Sequence, residues 1–308
     1  MFFPLPTVIQ AEVFSRIPDE LRQLDKPVRM HGRVRNSCIE GPSFDLEGNL
    51  YCVDIVYGNI YRFDPQGRAQ AVLRYDGHPN GLKFDSTGMG FIADAKHGLM
   101  RFDPRKATIE PYLASAFGEP FRGLNDLVFD LQGNLYFTDQ GQSGLQRPDG
   151  RVFKLGVDGR LERLLDNVPS PNGLVLNVAE DTLFVAATRG NAVWRVPLHL
   201  FEAEAVARVG IFVQMSGGSG PDGMAMSQEG HLVVAHVGMG AVWIFDRKGI
   251  PVYKIETDVG NETTNVAFGG PDGRTLYITE TESGSVLRAR LPFAGKSMYS
   301  HAATTVSR

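Results

Sequence analysis

The sequence has very few cysteines and no long hydrophobic run, and both absences restrict what the protein can be. Two cysteines in 308 residues are too few for a disulfide framework. No stretch approaches the roughly 20 consecutive apolar residues of a transmembrane helix. The first ten residues, MFFPLPTVIQ, lack the basic and long apolar regions of a signal peptide. We therefore expect a soluble protein of the cytoplasm.

The chain also lacks a strong charge of either sign. Its formal net charge is −4, with 31 basic and 35 acidic residues scattered along the sequence. Neither a basic stripe for nucleic acid nor a polybasic patch for a membrane surface is present. With 43% hydrophobic residues, the chain can bury a sizeable core. These properties indicate a globular protein whose partner is a small neutral or mildly polar molecule.

What the sequence does contain is a repeat, and self-similarity at such a period is typical of propellers and solenoids. Six copies of a short apolar phrase occur: GNLYCVD (48–54), GMGFIAD (88–94), GNLYFTD (133–139), DTLFVAA (181–187), GHLVVAH (230–236) and RTLYITE (274–280). Each copy is preceded by a phrase such as NGLKFD or NGLVLN and followed by a run such as GNIYRFD. Three alternating strands and a weaker fourth describe one propeller blade each.

The repeats predict an all-β fold, a six-bladed β-propeller with four strands per blade in one domain spanning residues 1–308. The expected blades cover about 38–75, 78–114, 123–166, 170–214, 220–256 and 263–293. Because the sixth repeat lacks a fourth strand, residues 11–17 are expected to close the ring by pairing with the last blade. Residues 18–37 form either a lid or a solvated loop, and residues 294–308 form a tail without a strand pattern.

The residue at which each first strand begins lies close to the channel axis of a propeller. Reading that position through the repeats gives Glu40, Asn80, Asn125, Asn172, Asp222 and Asn265. All six carry a side-chain oxygen, and calcium and magnesium prefer oxygen ligands, whereas zinc prefers His or Cys. The pairs Asn-Gly and Asp-Gly are also ordinary turn formers, but Glu40 is not. The ring predicts a divalent-cation site at one end of the channel.

A second ring is expected where the second strands return to the same face. It comprises Asp54, Asp94, Asp139, Ala187, His236 and Glu280. We interpret Asp54 and Asp94 as caps of the following turns. Asp139 and His236 are better candidates for contact with a bound molecule, since His can carry a proton near neutral pH.

The combination of IEGPSFD, LNDLVFD with GNLYFTD, SPNGLVLN, GPDGMAM and AFGGPDGRTLYIT resembles the gluconolactonase and senescence-marker-protein family over roughly residues 11–293. The resemblance implies a six-bladed propeller that hydrolyses lactones, often sugar lactones. It implies a cation held by Glu40, Asn172 and Asp222, with Asn125 in or near the coordination sphere. Calcium is the first choice, with Zn²⁺, Mn²⁺, Mg²⁺ and Fe²⁺ as the other candidates.

These residues predict metal-assisted hydrolysis of a small-molecule lactone such as an aldonolactone. Asp222 is expected to be both ligand and general base, with His236 or Asp139 as the second choice. Asn125, Arg122 and His236 are expected to contact substrate, although the spacing of Arg122 from Asn125 does not establish its equivalence to the family's sugar-binding arginine. Two alternatives stay open, a phosphotriesterase-like hydrolase using the same cation and a binding propeller without chemistry. The oligomeric state is left open.

Overall fold

Six antiparallel sheets of at least four strands follow one another along the chain, and each is built from one copy of the repeat. The computed structural model describes residues 4–22, 27–30, 33–199 and 208–302. The sheets form a six-bladed β-propeller, as the repeats predict. Within each repeat the strand order follows the chain, with the first strand innermost, and N-terminal strands form the outer edges of blades 5 and 6.

The bounds of the strands are as follows. Blade 1 comprises Ile39–Phe44, Leu50–Asp54, Asn59–Phe63 and Ala69–Arg74, blade 2 comprises Pro79–Phe84, Gly90–Asp94, Gly98–Asp103 and Thr108–Leu113, and blade 3 comprises Leu124–Phe129, Leu135–Asp139, Gly150–Leu155 and Leu161–Val168. Blade 4 comprises Pro171–Leu176, Thr182–Ala187, Ala192–Pro197 and Gly210–Gln214, blade 5 comprises Gly220–Met226, Leu232–Val237, Ala241–Phe245 and Pro251–Glu256, and blade 6 contributes Thr263–Gly269, Thr275–Glu280 and Ser285–Arg290.

The hydrophobic core lies between neighbouring blades rather than at one centre. Six clusters of buried side chains occur, and each draws its members from two adjacent blades. One of them joins blade 6 to blade 1 through Tyr277, Phe44 and Tyr61. Since strand residues alternate between the two faces of a sheet, every blade can bury both faces, and the ring closes without an unpacked blade.

The innermost pair of strands has a register shift in every blade, at or beside the predicted ring residue. In blade 4, for example, Pro171 pairs with Ala187 and the next paired residue is Leu174. Irregularities of this kind re-aim side chains and are frequent next to active sites. The phrase Pro171-Asn172-Gly173 lies inside the first strand of blade 4, Pro171–Leu176.

The glycines of these phrases make room for side chains of the next blade. A Cβ atom on Gly81 would lie 2.6 Å from Oδ1 of Asp126, and one on Gly223 would lie 2.0 Å from Oδ1 of Asn265. Real Cβ atoms do not approach other atoms so closely, so only glycine fits at these two positions. The repeated phrase thus serves the packing of neighbouring blades around the channel.

The N-terminal segment closes the ring with two strands instead of the one that the sequence predicts. Glu12–Arg16 pairs antiparallel with Ser285–Arg290 and completes blade 6. The preceding strand, Thr7–Gln10, pairs in parallel with Pro251–Glu256 and adds a fifth strand to blade 5. Ile17, just beyond the closing strand, is fully buried. The segment therefore covers the outer edges of two blades.

Deleting residues 1–17 should expose both edges, and exposed strand edges promote aggregation. We expect the melting temperature to fall by about 10 °C or more, which corresponds to a loss of several kcal/mol at about 2–4 °C per kcal/mol. Deleting residues 1–6, which leaves both strands intact, is the matched control. A 1–17 deletion that stays soluble with an unchanged melting temperature would contradict the closure.

The segment at 18–37 is described only in part, because residues 23–26 and 31–32 lie outside the described ranges. A 3-10 turn spans Asp19–Leu21, and Val28–Met30 pairs with Arg33–Arg35. The hydroxyl of Tyr61 in blade 1 donates to the carbonyl oxygen of Leu21 at 3.1 Å. A lid role for this segment stays a prediction.

The C-terminal segment crosses the face of the ring at which the first strands end. Lys296 N donates to the carbonyl oxygen of Met226 at 2.7 Å, and its ammonium group pairs with Glu180. A short helix follows at Tyr299–Ala302, and the ring of Tyr299 packs on Phe129. Residues 303–308 lie outside the described ranges. Between this segment and the strand ends lies a cavity of about 1170 Å³, and none of the six predicted ring residues lines it.

Two short features complete the described secondary structure: a hairpin of Ser115–Ala116 with Glu119–Pro120 and a 3-10 turn at Thr188–Gly190. In the parts of the chain that the structure describes, no helix has the length and apolar character needed to cross a membrane.

Candidate active site

Five of the six predicted ring residues are buried at one end of the channel. Asn80, the exception, is half-buried. The amide of Asn265 in blade 6 donates to Oδ2 of Asp126 in blade 3 at 3.2 Å. Because blades 3 and 6 are opposite in a ring of six, this hydrogen bond crosses the channel. The bond places the side chains of Asn265 and Asp126 near the axis.

Asp126 is a member of this cluster that the sequence reasoning missed. It follows the ring residue Asn125, at a position where four blades have glycine and blade 6 has Val266. Its side chain is 3% exposed and occupies the space left by Gly81. The one acidic residue at an otherwise glycine-rich position was the signal that could have found it.

Three carboxyl groups, those of Glu40, Asp126 and Asp222, share this buried space and oppose one another's ionisation. Burial raises the pKa of Glu40 to about 7, and the charge of Asp126 adds to the effect, while the N–H of Gly41 opposes it. Burial also raises the pKa of Asp222 well above its ordinary value, and the charges of Glu40 and Asp126 raise it further. Such a cluster attracts a cation, which would favour the ionised forms.

The pKa of Asp126 is raised by burial as well, but the nearby ammonium group of Lys83 acts in the opposite direction. Lys83 lies on the first strand of blade 2, and its Nζ atom donates to the carbonyl oxygen of Pro42 at 3.3 Å. One lysine against three carboxyl groups leaves the cluster with an excess of acidic groups.

Asn125 gives the most direct evidence that these residues fit a cation. Its side chain is 5% exposed, and within the described ranges nothing donates a hydrogen bond to its Oδ1 atom. A buried oxygen without a donor is costly, and a cation is one partner that would satisfy it. Asn172 adds a further amide, which lowers the pKa of the Asp222 carboxyl group. The available donors are oxygens, the ligand type that calcium prefers.

No three Asp, Glu, His or Cys side chains among the described residues form a metal cluster by themselves. The candidate cation ligands do not depend on such a cluster. They are two carboxylates, those of Glu40 and Asp222, and two amides, those of Asn125 and Asn172. Asn265 differs from these amides, since its Oδ1 already accepts the N–H of Val266 at 2.8 Å. Its oxygen is engaged within the protein.

The second ring supports the backbone around the site. As expected, Asp54 and Asp94 accept hydrogen bonds from the turns that follow, including those from the N–H groups of Val56 and Lys96. Glu280 accepts the N–H of Ser283 in the turn that follows it, at 2.8 Å. These carboxylates hold loops in place.

Asp139 has a similar environment. Its side chain is fully buried and accepts hydrogen bonds from the N–H groups of Arg122 and Gly123 at 2.8 and 2.9 Å. Arg151 donates to its other oxygen at 2.7 Å through Nε. Both carboxylate oxygens are therefore engaged, and this geometry favours a structural role for Asp139 over contact with substrate.

His236 is buried beneath the loop that precedes the first strand of blade 5. Its Nε2 atom lies 3.0 Å from the carbonyl oxygen of Gly217, so this nitrogen carries the proton, because a carbonyl only accepts. Burial lowers the pKa of the ring, which favours the neutral form. His236 is 1% exposed and Asp222 is 8% exposed, so both residues are buried.

Arg122 lies at the start of blade 3, ahead of Asn125. One of its guanidinium nitrogens is 3.1 Å from Oδ2 of Asp149, and its side chain is 41% exposed. Arg147 pairs with the same carboxylate at 2.7 Å. The loops of blade 3 thus hold two arginines at the surface, and both pair with Asp149.

The family model described as the SMP-30/Gluconolactonase/LRE-like region matches residues 38–282, which is well over half of the chain. The chain belongs to this family. The match confirms the resemblance drawn from the repeat phrases, and it includes all six ring residues together with Asp126.

Two curated relatives of this family member are named lactonases. Lactonase drp35 of Staphylococcus aureus is 27% identical over 233 residues, covering 70% of this chain and 69% of that protein. The Staphylococcus epidermidis protein of the same name is 28% identical over 256 residues, covering 79% and 74%.

Two solved structures are similar in fold. Regucalcin from Agrobacterium tumefaciens, described as a calcium-binding protein, has a TM-score of 0.75 at 23% identity, covering 96% of this chain and 98% of that one. A gluconolactonase from Xanthomonas campestris has a TM-score of 0.72 at 22% identity, covering 88% and 96%. At these identities the likeness supports the propeller fold.

Proposed function

We propose that this family member is a divalent-cation-dependent lactonase whose substrate is a small sugar lactone such as an aldonolactone. The observation that carries the proposal is the group of buried carboxyl groups at one end of the channel, those of Glu40, Asp126 and Asp222. The buried amide oxygen of Asn125, to which no described residue donates, supports it. Such a group fits a hard cation. The family and the lactonase names of the relatives supply the reaction class.

Glu40, Asn125, Asn172 and Asp222 would hold the cation. Calcium is the first choice, because the donors are all oxygens, and because one structural neighbour is described as a calcium-binding protein. Zn²⁺, Mn²⁺, Mg²⁺ and Fe²⁺ remain candidates, since ligand type alone does not fix the metal. Asp126 holds Asn265 across the channel and adds negative charge next to the ligands.

A cation bound at these ligands would polarise the lactone carbonyl and lower the pKa of a nearby water. Asp222 accepts the proton that this water loses as it attacks the carbonyl carbon. The ester C–O bond of the ring then breaks, the proton reaches the departing ring oxygen, and the product is a hydroxy acid. Asp222 suits the role of base because a bound cation would favour its ionised form, and an ionised carboxylate can accept a proton.

Substrate contacts are assigned to Asn125, in the first strand of blade 3, and to Arg122, three residues earlier. Asn125 would contact both the cation and a substrate oxygen. Arg122 presents an exposed guanidinium group that can donate to sugar hydroxyls or to the carboxylate product. His236 is the second candidate for the base and for a substrate contact, since it pairs with Pro221, the residue before Asp222, in blade 5.

A substrate panel tests the proposal. Hydrolysis of aldonolactones, of simple γ- and δ-lactones and of an aryl phosphotriester should be compared before and after chelation and after addition of Ca²⁺. We expect chelator-sensitive hydrolysis of the sugar lactones. Hydrolysis of the phosphotriester alone would favour a phosphotriesterase with the same cation, and no turnover of any substrate would favour a binding propeller.

Cation binding should depend on pH, because it must displace a proton from Glu40. In the metal-free protein, burial raises the pKa of Glu40 to about 7 from an ordinary value of 4.5. A raised carboxyl pKa stabilises the metal-free fold below pH 4.5, and this contribution is lost as the pH rises through 7. Cation affinity should change in the opposite direction, falling up to about tenfold per pH unit below 7 for each proton displaced.

Calorimetric titration with Ca²⁺ at several pH values between 5.5 and 8 measures this dependence. Affinity that levels off above pH 7 and falls below it is the expected result. The variant Glu40→Gln has no proton to displace at this position and should show a shallower dependence. An affinity that is constant over the whole range would contradict a role for Glu40 as a ligand.

A further inference from the structure

The amide of Asn125 has a fixed orientation, and a neighbouring glutamine sets it. Nδ2 of Asn125 donates to Oε1 of Gln140 at 3.1 Å. Oδ1 consequently points away from Gln140, and it is the buried oxygen to which no described residue donates. An asparagine can present either an acceptor or a donor in one direction, so the partner of its nitrogen decides which atom faces the cation site.

Both the side chain and the backbone of Gln140 are hydrogen-bonded to neighbouring serines. Its Nε2 atom donates to Oγ of Ser170 at 2.9 Å. The hydroxyl of Ser143 donates to the backbone carbonyl oxygen of Gln140 at 2.6 Å and accepts the N–H of Ser170 at 3.1 Å. Gln140 is half-buried, and these contacts limit its rotation. The glutamine thus offers Asn125 an acceptor in a constant position.

The same network reaches a second ligand in the next blade. Ser170 is buried and has a φ of +63°, a left-handed conformation that costs roughly 1–2 kcal/mol for a residue other than glycine. It precedes Pro171 and Asn172 directly. Thr138 adds a parallel link, since its hydroxyl donates to the carbonyl oxygen of Asn172 at 2.8 Å. Strained residues of this kind are retained where the surroundings fix them, often at functional sites.

We propose that Gln140 is a positioning residue that keeps the amide oxygen of Asn125 turned toward the cation site. The inference rests on the proposed function, in which that oxygen is a ligand. If the amide rotated by half a turn, its NH₂ group would face the cation, and the site would lose an oxygen and gain a repulsive dipole. Gln140 prevents this rotation by accepting from the nitrogen, and Ser170 holds Gln140 in the accepting orientation.

Three variants of the full chain separate this role from simple packing. Gln140→Met keeps the length of the side chain and removes the acceptor. Gln140→Glu keeps an acceptor that cannot act as a donor to Asn125. Gln142→Met is the matched control, because Gln142 is exposed in the same loop. Calcium affinity is measured by calorimetry on chelator-treated proteins, and the melting temperature of each metal-free variant checks its fold.

We expect Gln140→Met to weaken calcium binding by about 10- to 100-fold, the usual range for partners of metal ligands. Gln140→Glu should bind at least as tightly as the wild type, within about threefold, and Gln142→Met should be unchanged. Rescue by glutamate is the result that a packing role would not give. At saturating calcium, Gln140→Met should regain most of the wild-type kcat, since the reacting groups are intact.

The proposal is overturned if Gln140→Met binds calcium as tightly as the wild type while Asn125→Ala binds it more weakly. Equal weakening in Gln140→Met and Gln140→Glu would also overturn it. Should Gln140→Met fail to fold, Ser170→Ala replaces it, and wild-type affinity there would count against the proposal. A wild-type protein that binds no divalent cation would instead refute the proposed function, and the role of Gln140 with it.

Discussion

Asp222→Asn is expected to lower kcat for lactone hydrolysis by about 10²- to 10⁴-fold even at saturating cation, the usual loss for a general base. The substitution keeps an oxygen ligand but removes the group that accepts the proton. Glu40→Gln also removes a charge from the proposed cation site, yet the proposed mechanism gives Glu40 no part in proton transfer. With excess cation, Glu40→Gln should therefore recover more activity than Asp222→Asn.

The measurement is kcat as a function of cation concentration for both variants and for His236→Ala. Full rescue of Asp222→Asn by excess cation, with His236→Ala inactive, would transfer the role of base to His236. Equal rescue of all three variants would mean that no side chain acts as base. In that case hydroxide from solution would attack, and activity would rise steadily with pH.

Truncation of Glu40 should have the largest effect on cation binding. Glu40→Ala removes a buried carboxylate from the proposed set of two carboxylates and two amides, and we expect the dissociation constant to rise at least about 100-fold, or roughly 2.7 kcal/mol. Asn80→Ala is the matched control, because Asn80 shares the ring phase but is only half-buried. Its effect should stay within about tenfold, or 1.4 kcal/mol.

Calorimetric titration of calcium into chelator-treated protein distinguishes the two variants, and Asn265→Ala extends the comparison. The oxygen of Asn265 already accepts from Val266, so this variant should also stay within about tenfold. A loss in Asn80→Ala or Asn265→Ala as large as that in Glu40→Ala would make the residue concerned a ligand.

The sequence could predict the fold because the propeller repeats both its strands and its turns. The period located the six ring residues, since each lies at the same point of its repeat. It could not predict the second N-terminal strand, because Thr7–Gln10 pairs with blade 5, a partner more than 240 residues away with no matching phrase. Long-range pairing of a short segment leaves no local pattern.

The chemistry of the site was predicted less completely, for physical reasons that concern individual residues. Asp126 was missed because the phase pointed to Asn125 beside it, and the register shifts that aim both side chains have no signature in the sequence. Asp139 was chosen for its charge, but its two oxygens are engaged by Arg151 and by backbone N–H groups. Gln140 of blade 3 contacts Ser170 at the start of blade 4. A contact between two blades cannot be read from the sequence.

The most direct test of the cation-dependent lactonase is a single titration in which calcium is added to chelator-treated protein while binding heat and lactone hydrolysis are followed together. We predict that activity is absent at the start and that it returns in proportion to the occupancy of one site per chain. Asp222→Asn should bind calcium in this titration without regaining activity. Full hydrolysis by the metal-free protein, or binding that leaves hydrolysis unchanged, would contradict the central claim.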